Sequence, residues 1–195
     1  MKRSAIVDAD DLATELHKEI TRSELALAFR RLVLTPLHTN TSFQADCRGA
    51  YNHMAVSTLN LAFITIARLF DRPKGRHSIT LQFLIERIRD LSANNARINS
   101  DAEKHLQTIT DVRLKLSHLR NNAIAHRNIT DDVSPVSWDL LEEVLDDARK
   151  IFDWCGSERG QAYSYSTHLR GYRGDCRRLL EALVNKAPQP GPNCA

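Results

Sequence analysis

An all-α bundle is the fold class this sequence predicts, and three observations predict it. Only seven glycines and six prolines interrupt 195 residues, and most of them fall in a few short stretches, so long uninterrupted segments remain. Within those segments apolar residues recur at intervals of three and four, the period of a helix that buries one face. No stretch alternates apolar and polar residues over strand length with hairpin turns at its ends, and no internal repeat is visible. The expected architecture is an antiparallel helical bundle with an additional C-terminal helix.

Each segment has its own reason to be helical. The first, about 8–34, opens on the acidic "DADD", which suits a helix N-terminus, and carries Leu12, Leu16, Ile20, Leu27 and Val33 or Leu34 near helical spacing. It is expected to end before Pro36. The second, about 43–70, sets Tyr51, Met54 or Ala55, Leu59, Ala62, Ile66 and Leu69 on one stripe, that of a long core helix. After the loop "DRPKGRH", Ser78 begins a shorter helix with Leu81, Leu84, Ile85, Ile88 and Leu91. In the fourth, Ser100 and Glu103 form a capping box, and Leu106, Ile109, Val112, Leu116 and Leu119 give the stripe that delivers Arg120 at the helix end. A polar loop with Pro135 precedes "SWDLLEEVLDDARKIFDWC", a fifth helix that packs back on the bundle. Past Gly156 and Gly160 the composition shifts to "YSYSTHLRGYRGDCRRLLEALVNK", read as one more helix followed by a frayed proline-rich tail. The domain division expected is therefore a bundle over 1–158 and a C-terminal helix with tail over 159–195.

Composition narrows the class of function. Hydrophobic residues at 42% and charged residues at 26% are those of an ordinary globular protein, far from disordered or membrane chains. A formal charge of +3 permits a polyanionic partner without demanding one, so a case for nucleic acid must come from local patches. The longest apolar run, "LNLAFITIA" at 59–67, falls short of the ~20 residues of a membrane helix, and "MKRSAIVDADD" has no apolar signal core. A cytoplasmic protein without a membrane partner is expected. Cys47, Cys155, Cys176 and Cys194 have neither CxxC spacing nor the density of a disulfide framework, so reduced thiols and no metal or other cofactor are expected.

The chemistry sits where the fourth apolar stripe gives out. "LSHLRNNAIAHRNI" places Arg120, Asn121, His126 and Arg127 within eight residues, and heptad spacing puts Arg113 on the same helix face as Arg120 with Ser117 between them. Arginine keeps its charge and offers a donor fork matched to phosphate oxygens, whereas histidine accepts and returns a proton near neutrality. That pair is the minimum for cleaving an RNA phosphodiester without metal: a base takes the 2′-hydroxyl proton and a cation stabilises the charge gathering on phosphorus. His126 fits the base and Arg120 the cation. Asn121 could orient the imidazole or bind the phosphate, and Arg113 and Arg127 would add substrate-binding charge. A plainer account is also open, in which Arg120 and His126 neutralise a helix dipole and the asparagines end the helix.

Two blocks of sequence carry a family resemblance. "LRNNAIAHRN" resembles the Arg-x(4–6)-His signature of the HEPN superfamily, and "TIARLFDRPKGRHSITLQFLI" is similar to the second-to-third helix junction of its abortive-infection, AbiU-like branch. The resemblance spans about residues 40–155. It implies a HEPN-type all-α bundle that forms a homodimer with the two signatures facing across a cleft, and metal-independent ribonuclease activity of a toxin in antiviral defence, with an RNA substrate and a possible antitoxin partner. It carries over to Arg120, Asn121 and His126 alone. Some relatives bear a tyrosine two residues after the histidine that a nucleotidyltransferase partner modifies, and here that position is Asn128. Other relatives bind without cutting, so a nucleotide-binding or nucleic-acid-binding module and a structural partner of a defence complex are the rival expectations.

Three further groups are weighed. Arg68 and Asp71 in "RLFDR" read as a helix-terminal salt bridge or cap, and His118 as a rim residue. Tyr163, Tyr165 and Tyr172, interleaved with Arg170, Arg173, Arg177 and Arg178, could stack bases and bind phosphates, but a solvated helix face explains them as well.

Overall fold

The computed structural model describes residues 9–74, 78–125, 138–162 and 166–185, and for 118–125 and 166–168 it describes the backbone alone. Among these residues all regular structure is helical: α1 (Ala9–Phe29), α2 (Thr35–Thr39), α3 (Thr41–Leu69), α4 (Leu81–Leu91), α5 (Ala96–Ala125), α6 (Trp138–Glu158) and α7 (Ser166–Asn185). The predicted all-α class holds. No helix among the described residues is long and apolar enough to cross a membrane.

The chain divides into two compact units, one of residues 1–23 and 63–164, the other of residues 24–62 and 165–195. The sequence-based boundary after residue 158 follows a different line, because α7 packs on the turn that follows α1 and not alone. In this second unit Val33, Leu37, Phe43 and Cys176 form a small buried cluster, with Tyr51, Tyr172, Leu180 and Leu183 packed against it. Tyr172 thus spends its ring on packing, and burial first, then the neighbouring Cys176, pushes its hydroxyl up to about 12. The base-stacking use of that tyrosine is not what the structure shows. Arg173, Arg177 and Arg178 of the same helix are exposed, the last paired with Asp175.

Two departures from regular helix shape this unit. Between α1 and α2, Arg30–Leu34 winds as a π-turn, so the chain runs on through Pro36 where the sequence predicts a stop. Pro36 sits in the first turn of α2, where its missing N–H costs little. The wider turn shifts the apolar register, which is why both Val33 and Leu34 are buried. In α3, Cys47 leaves helical geometry at φ −127° and ψ 20°, a kink inside the predicted long helix.

The first unit holds the larger core. Leu12, Leu16 and Ile20 of α1, Ile66 and Leu69 of α3, Leu84 and Ile85 of α4, Ile109 of α5 and Phe152 of α6 are essentially inaccessible. Side-chain pairs fix the direction of neighbouring helices. His17 stacks on Phe152 with ring centroids 6.1 Å apart, and Asp10 pairs with Arg159, so α1 and α6 run antiparallel. Arg97 pairs with Glu158 at 2.7 Å and Lys115 with Glu143 at 2.7 Å, so α5 and α6 do the same. A buried hydroxyl pair, Ser23 Oγ donating to Thr65 Oγ1 at 2.9 Å, joins α1 to α3.

Candidate functional site

Helix α5 carries Arg120 and Asn121, the start of the predicted signature, and its first five turns explain how that helix is held. It starts at Ala96, earlier than the predicted capping box of Ser100 and Glu103. Asn95 is the cap, its Oδ1 accepting from the Ile98 N–H at 3.2 Å and its carbonyl from the Asn99 N–H at 3.0 Å. An asparagine after the turn "LSANN" satisfies the free amides first and leaves Ser100 inside the helix. Of the predicted stripe Ile109, Val112 and Leu116 are buried and Leu106 is half-buried, Ile98 and Ala102 extend the buried face toward the helix start, and His105 lies against Trp154 of α6 with ring centroids 4.7 Å apart.

Arg113 has a fixed job. Its Nε donates to the carbonyl of Phe70, and one Nη donates to the carbonyl of Asp71 at 2.8 Å and to Gln82 Oε1 of α4 at 2.5 Å. Phe70 and Asp71 lie just past Leu69, in the turn that ends α3, and the planar guanidinium turns three of its five N–H donors to their carbonyls and to Gln82. Arg113 therefore caps the end of α3 from α5 and ties both to α4. The sequence assigned that end to Arg68 and Asp71; the cap comes from forty residues further along the chain, where no local pattern announces it. Desolvation, then the charge of Arg72, lowers the pKa of Arg113. The reading of Arg113 as substrate-binding charge must be set beside these bonds, which leave its fork directed at protein carbonyls.

Beside this cap lies a groove of about 350 Å³ between the C-terminal part of α3 and the middle of α5, with Phe63, Phe70 and Leu114 as apolar walls and Arg72, Thr110 and Ser117 at its polar edge. Sequence reasoning missed both the groove and Arg72. The one local hint was that Arg72 directly precedes Pro73, which disfavours helix at that position and so leaves a charged side chain just past the end of α3.

The sequence predicts that α5 ends at Arg120. Instead the helix continues through Asn121 and Asn122 to Ala125, and no non-glycine residue among those described takes a positive φ. The asparagines do not terminate it in a left-handed turn. Arg120 lies one heptad beyond Arg113, about 10 Å along the axis and within about 20° of the same face. Arg120 and Asn121 thus sit in the last two turns of α5, while His126 and Arg127 lie outside the described residues.

Of the cysteines, Cys47, Cys155 and Cys176 are free thiols. Burial raises the pKa of Cys155 and of Cys176, so both are poor nucleophiles.

A family model described as HEPN_AbiU2, AbiU2, matches residues 6–179 of the chain. The match takes in α1 and most of α7, well beyond the 40–155 over which the sequence blocks carry the resemblance. No curated protein and no solved structure matches the chain.

Proposed function

The chain belongs to the AbiU2 family of HEPN domains, and on that premise we propose that it is a metal-independent endoribonuclease acting in antiphage defence. The observation that carries this reading is that Arg120-x5-His126, a phosphate ligand and a proton-transfer group, lies inside the family match, with Arg120 in the last two turns of α5.

The chemistry follows from the residues. The 2′-hydroxyl of a nucleotide attacks the adjacent phosphorus, His126 takes its proton, and the bond from phosphorus to the 5′-oxygen breaks. Arg120 stabilises the extra negative charge of the pentacoordinate phosphorane, and Asn121 holds the imidazole or a phosphate oxygen. The products are a 2′,3′-cyclic phosphate and a 5′-hydroxyl. The departing oxygen needs a proton from an acid, and one signature offers one histidine; a second copy of the chain across a cleft supplies the other. A homodimer therefore belongs to the proposal, as do Arg127 as a neighbouring phosphate contact and an antitoxin or other regulatory partner.

Single-turnover cleavage of a mixed RNA pool in EDTA tests the reading. Cyclic-phosphate ends that form at the parent rate with chelator and vanish in His126→Ala, with the melting transition unchanged, are the expected result. Salt-sensitive RNA binding without new ends, in parent and variant alike, replaces the nuclease with a binding module.

A further inference from the structure

The proposed chemistry leaves the groove between α3 and α5 unused. Its position is suggestive of a use, since Ser117 lines it and Arg120 lies one helical turn further along α5, about 4.5 Å along the axis. Its walls are apolar and partly open. Leu114 is 58% exposed, beside Phe63 and Phe70 at 6% and 1%. A volume of about 350 Å³ is within the range of small-ligand sites.

The edge of the groove is charged asymmetrically. Arg113 faces inward, its fork taken by carbonyl oxygens. Arg72 is exposed, close enough to Arg113 for the two charges to oppose each other, and makes no hydrogen bond or ion pair among the described residues. Asp71 and Arg72 also line an adjoining groove, where Arg68 and Lys74 add positive charge and Glu19 negative. Over both grooves four cations face two carboxylates, Asp71 and Glu19. An apolar slot whose rim carries surplus positive charge suits a flat, weakly polar ring joined to an anion.

We infer that this groove is a nucleobase subsite for single-stranded RNA, in which a base lies against Leu114 and Phe63 while Arg72 holds the phosphate of that nucleotide, beside the phosphodiester that reacts. The inference rests on the ribonuclease reading for its ligand. Recognition through apolar walls and one phosphate is tolerant of base identity, so the subsite positions the strand and does not select a sequence.

The test uses the full chain and a fluorescein-labelled ten-nucleotide 2′-O-methyl RNA, which cannot be cut because its 2′-oxygen is blocked. Fluorescence anisotropy between 50 and 200 mM salt is read for the parent, Arg72→Ala, Ala67→Trp, which fills the groove, and Leu114→Ser, with melting and light scattering on each. Arg72→Ala should weaken binding about three- to tenfold and reduce the salt slope by about 0.7, the value of one lost contact to a single strand. Ala67→Trp, by occupying the slot, and Leu114→Ser, by removing an apolar wall, should weaken it about tenfold with the slope unchanged, since neither removes charge. Parent-like affinity in Arg72→Ala and in whichever groove variant melts with the parent overturns the inference. So does a shift of oligomeric mass in the groove variants with RNA affinity unaltered, which makes the groove a contact between copies. The two proposals fail separately. Should the parent cut ordinary RNA through His126 while the groove variants bind normally, the subsite falls alone; groove-dependent binding without any cutting removes the nuclease and keeps the subsite. A parent that neither binds nor cuts removes both.

Discussion

Two stretches of the chain, Ala96 to Ser117 of α5 and Arg120 to Arg127, differ in the use of their charged residues, the first seen in their contacts and the second in the chemistry we propose. From Ala96 to Ser117 charges are tied to the protein: Arg97 to Glu158, Lys115 to Glu143, Arg113 to the end of α3. From Arg120 onward the apolar spacing stops, and Arg120, Asn121, His126 and Arg127 are the residues to which we assign phosphate binding and proton transfer. Arg113 and Arg120 are the same residue type, one heptad apart on one face, and spacing alone gives them the same role. The structure gives Arg113 a use of its own, its fork donating to the backbone carbonyls of Phe70 and Asp71. A shared helix face says where side chains start; what lies opposite decides their use.

The largest effects should fall beyond Ser117. His126→Ala removes a proton-transfer group with a typical worth of about 10²–10⁴-fold in rate. Arg120→Lys keeps the charge and loses the planar fork, and about 10²-fold of cleavage should go with it, the lower range for losing one stabilising donor in a transition state. Both variants should melt with the parent. His118→Ala, on the same helix with no assigned role, should cleave normally. If Arg120→Lys cleaves like the parent, the residue serves the helix dipole and the contrast between the two regions disappears.

A smaller effect of the opposite kind is expected at Arg113. Its removal as Arg113→Ala leaves the carbonyls of Phe70 and Asp71 without their donor at the end of α3, at a cost of about 1–3 kcal/mol. The melting temperature should fall by several degrees, while cleavage measured well below the transition stays within a few-fold of the parent. Arg113→Lys should recover only part of the stability, since an ammonium cannot span two carbonyls and Gln82 in one plane. Unchanged melting with lost cleavage in Arg113→Ala would return this arginine to the substrate.

The sequence made the helices legible because each buries a stripe: Leu12, Leu16 and Ile20, or Ile109, Val112 and Leu116, are as inaccessible as their spacing requires. What it hid was non-local or irregular. The π-turn at Arg30–Leu34 left only an ambiguity over whether Val33 or Leu34 belonged to the stripe, and both are buried. The cap of α5 went to Asn95 and not Ser100 because the nearest side-chain oxygen to the free amides takes them. The cap of α3 and the groove beside it depend on α5 meeting the end of α3, a contact across more than forty residues that no periodicity encodes. The signature was legible as residue types in a fixed order.

The smallest expected effect sharpens the contrast between two histidines, one in each region. His105 is half-enclosed against Trp154, and desolvation lowers its pKa from the ordinary value of about 6.5, outweighing Asp101, which pulls it up, with Lys104 adding to the drop. Above pH 6.5 the imidazole is neutral in both the folded and unfolded chain and contributes no pH dependence. As the pH falls below 6.5 the unfolded chain takes up the proton and the folded one resists it, so stability declines until the lowered folded pKa is passed. Part of the fall in melting temperature between pH 7.5 and pH 5 should therefore vanish in His105→Gln, whose amide does not titrate there. His126→Ala should leave that fall as it is in the parent, because its histidine is assigned to chemistry and not to packing. Cleavage should behave in reverse, its pH profile kept in His105→Gln. A His105→Gln protein whose melting follows pH as steeply as the parent would show that the ring against Trp154 titrates as freely as one in water, and that this part of α5 does not hold its side chains as the geometry requires.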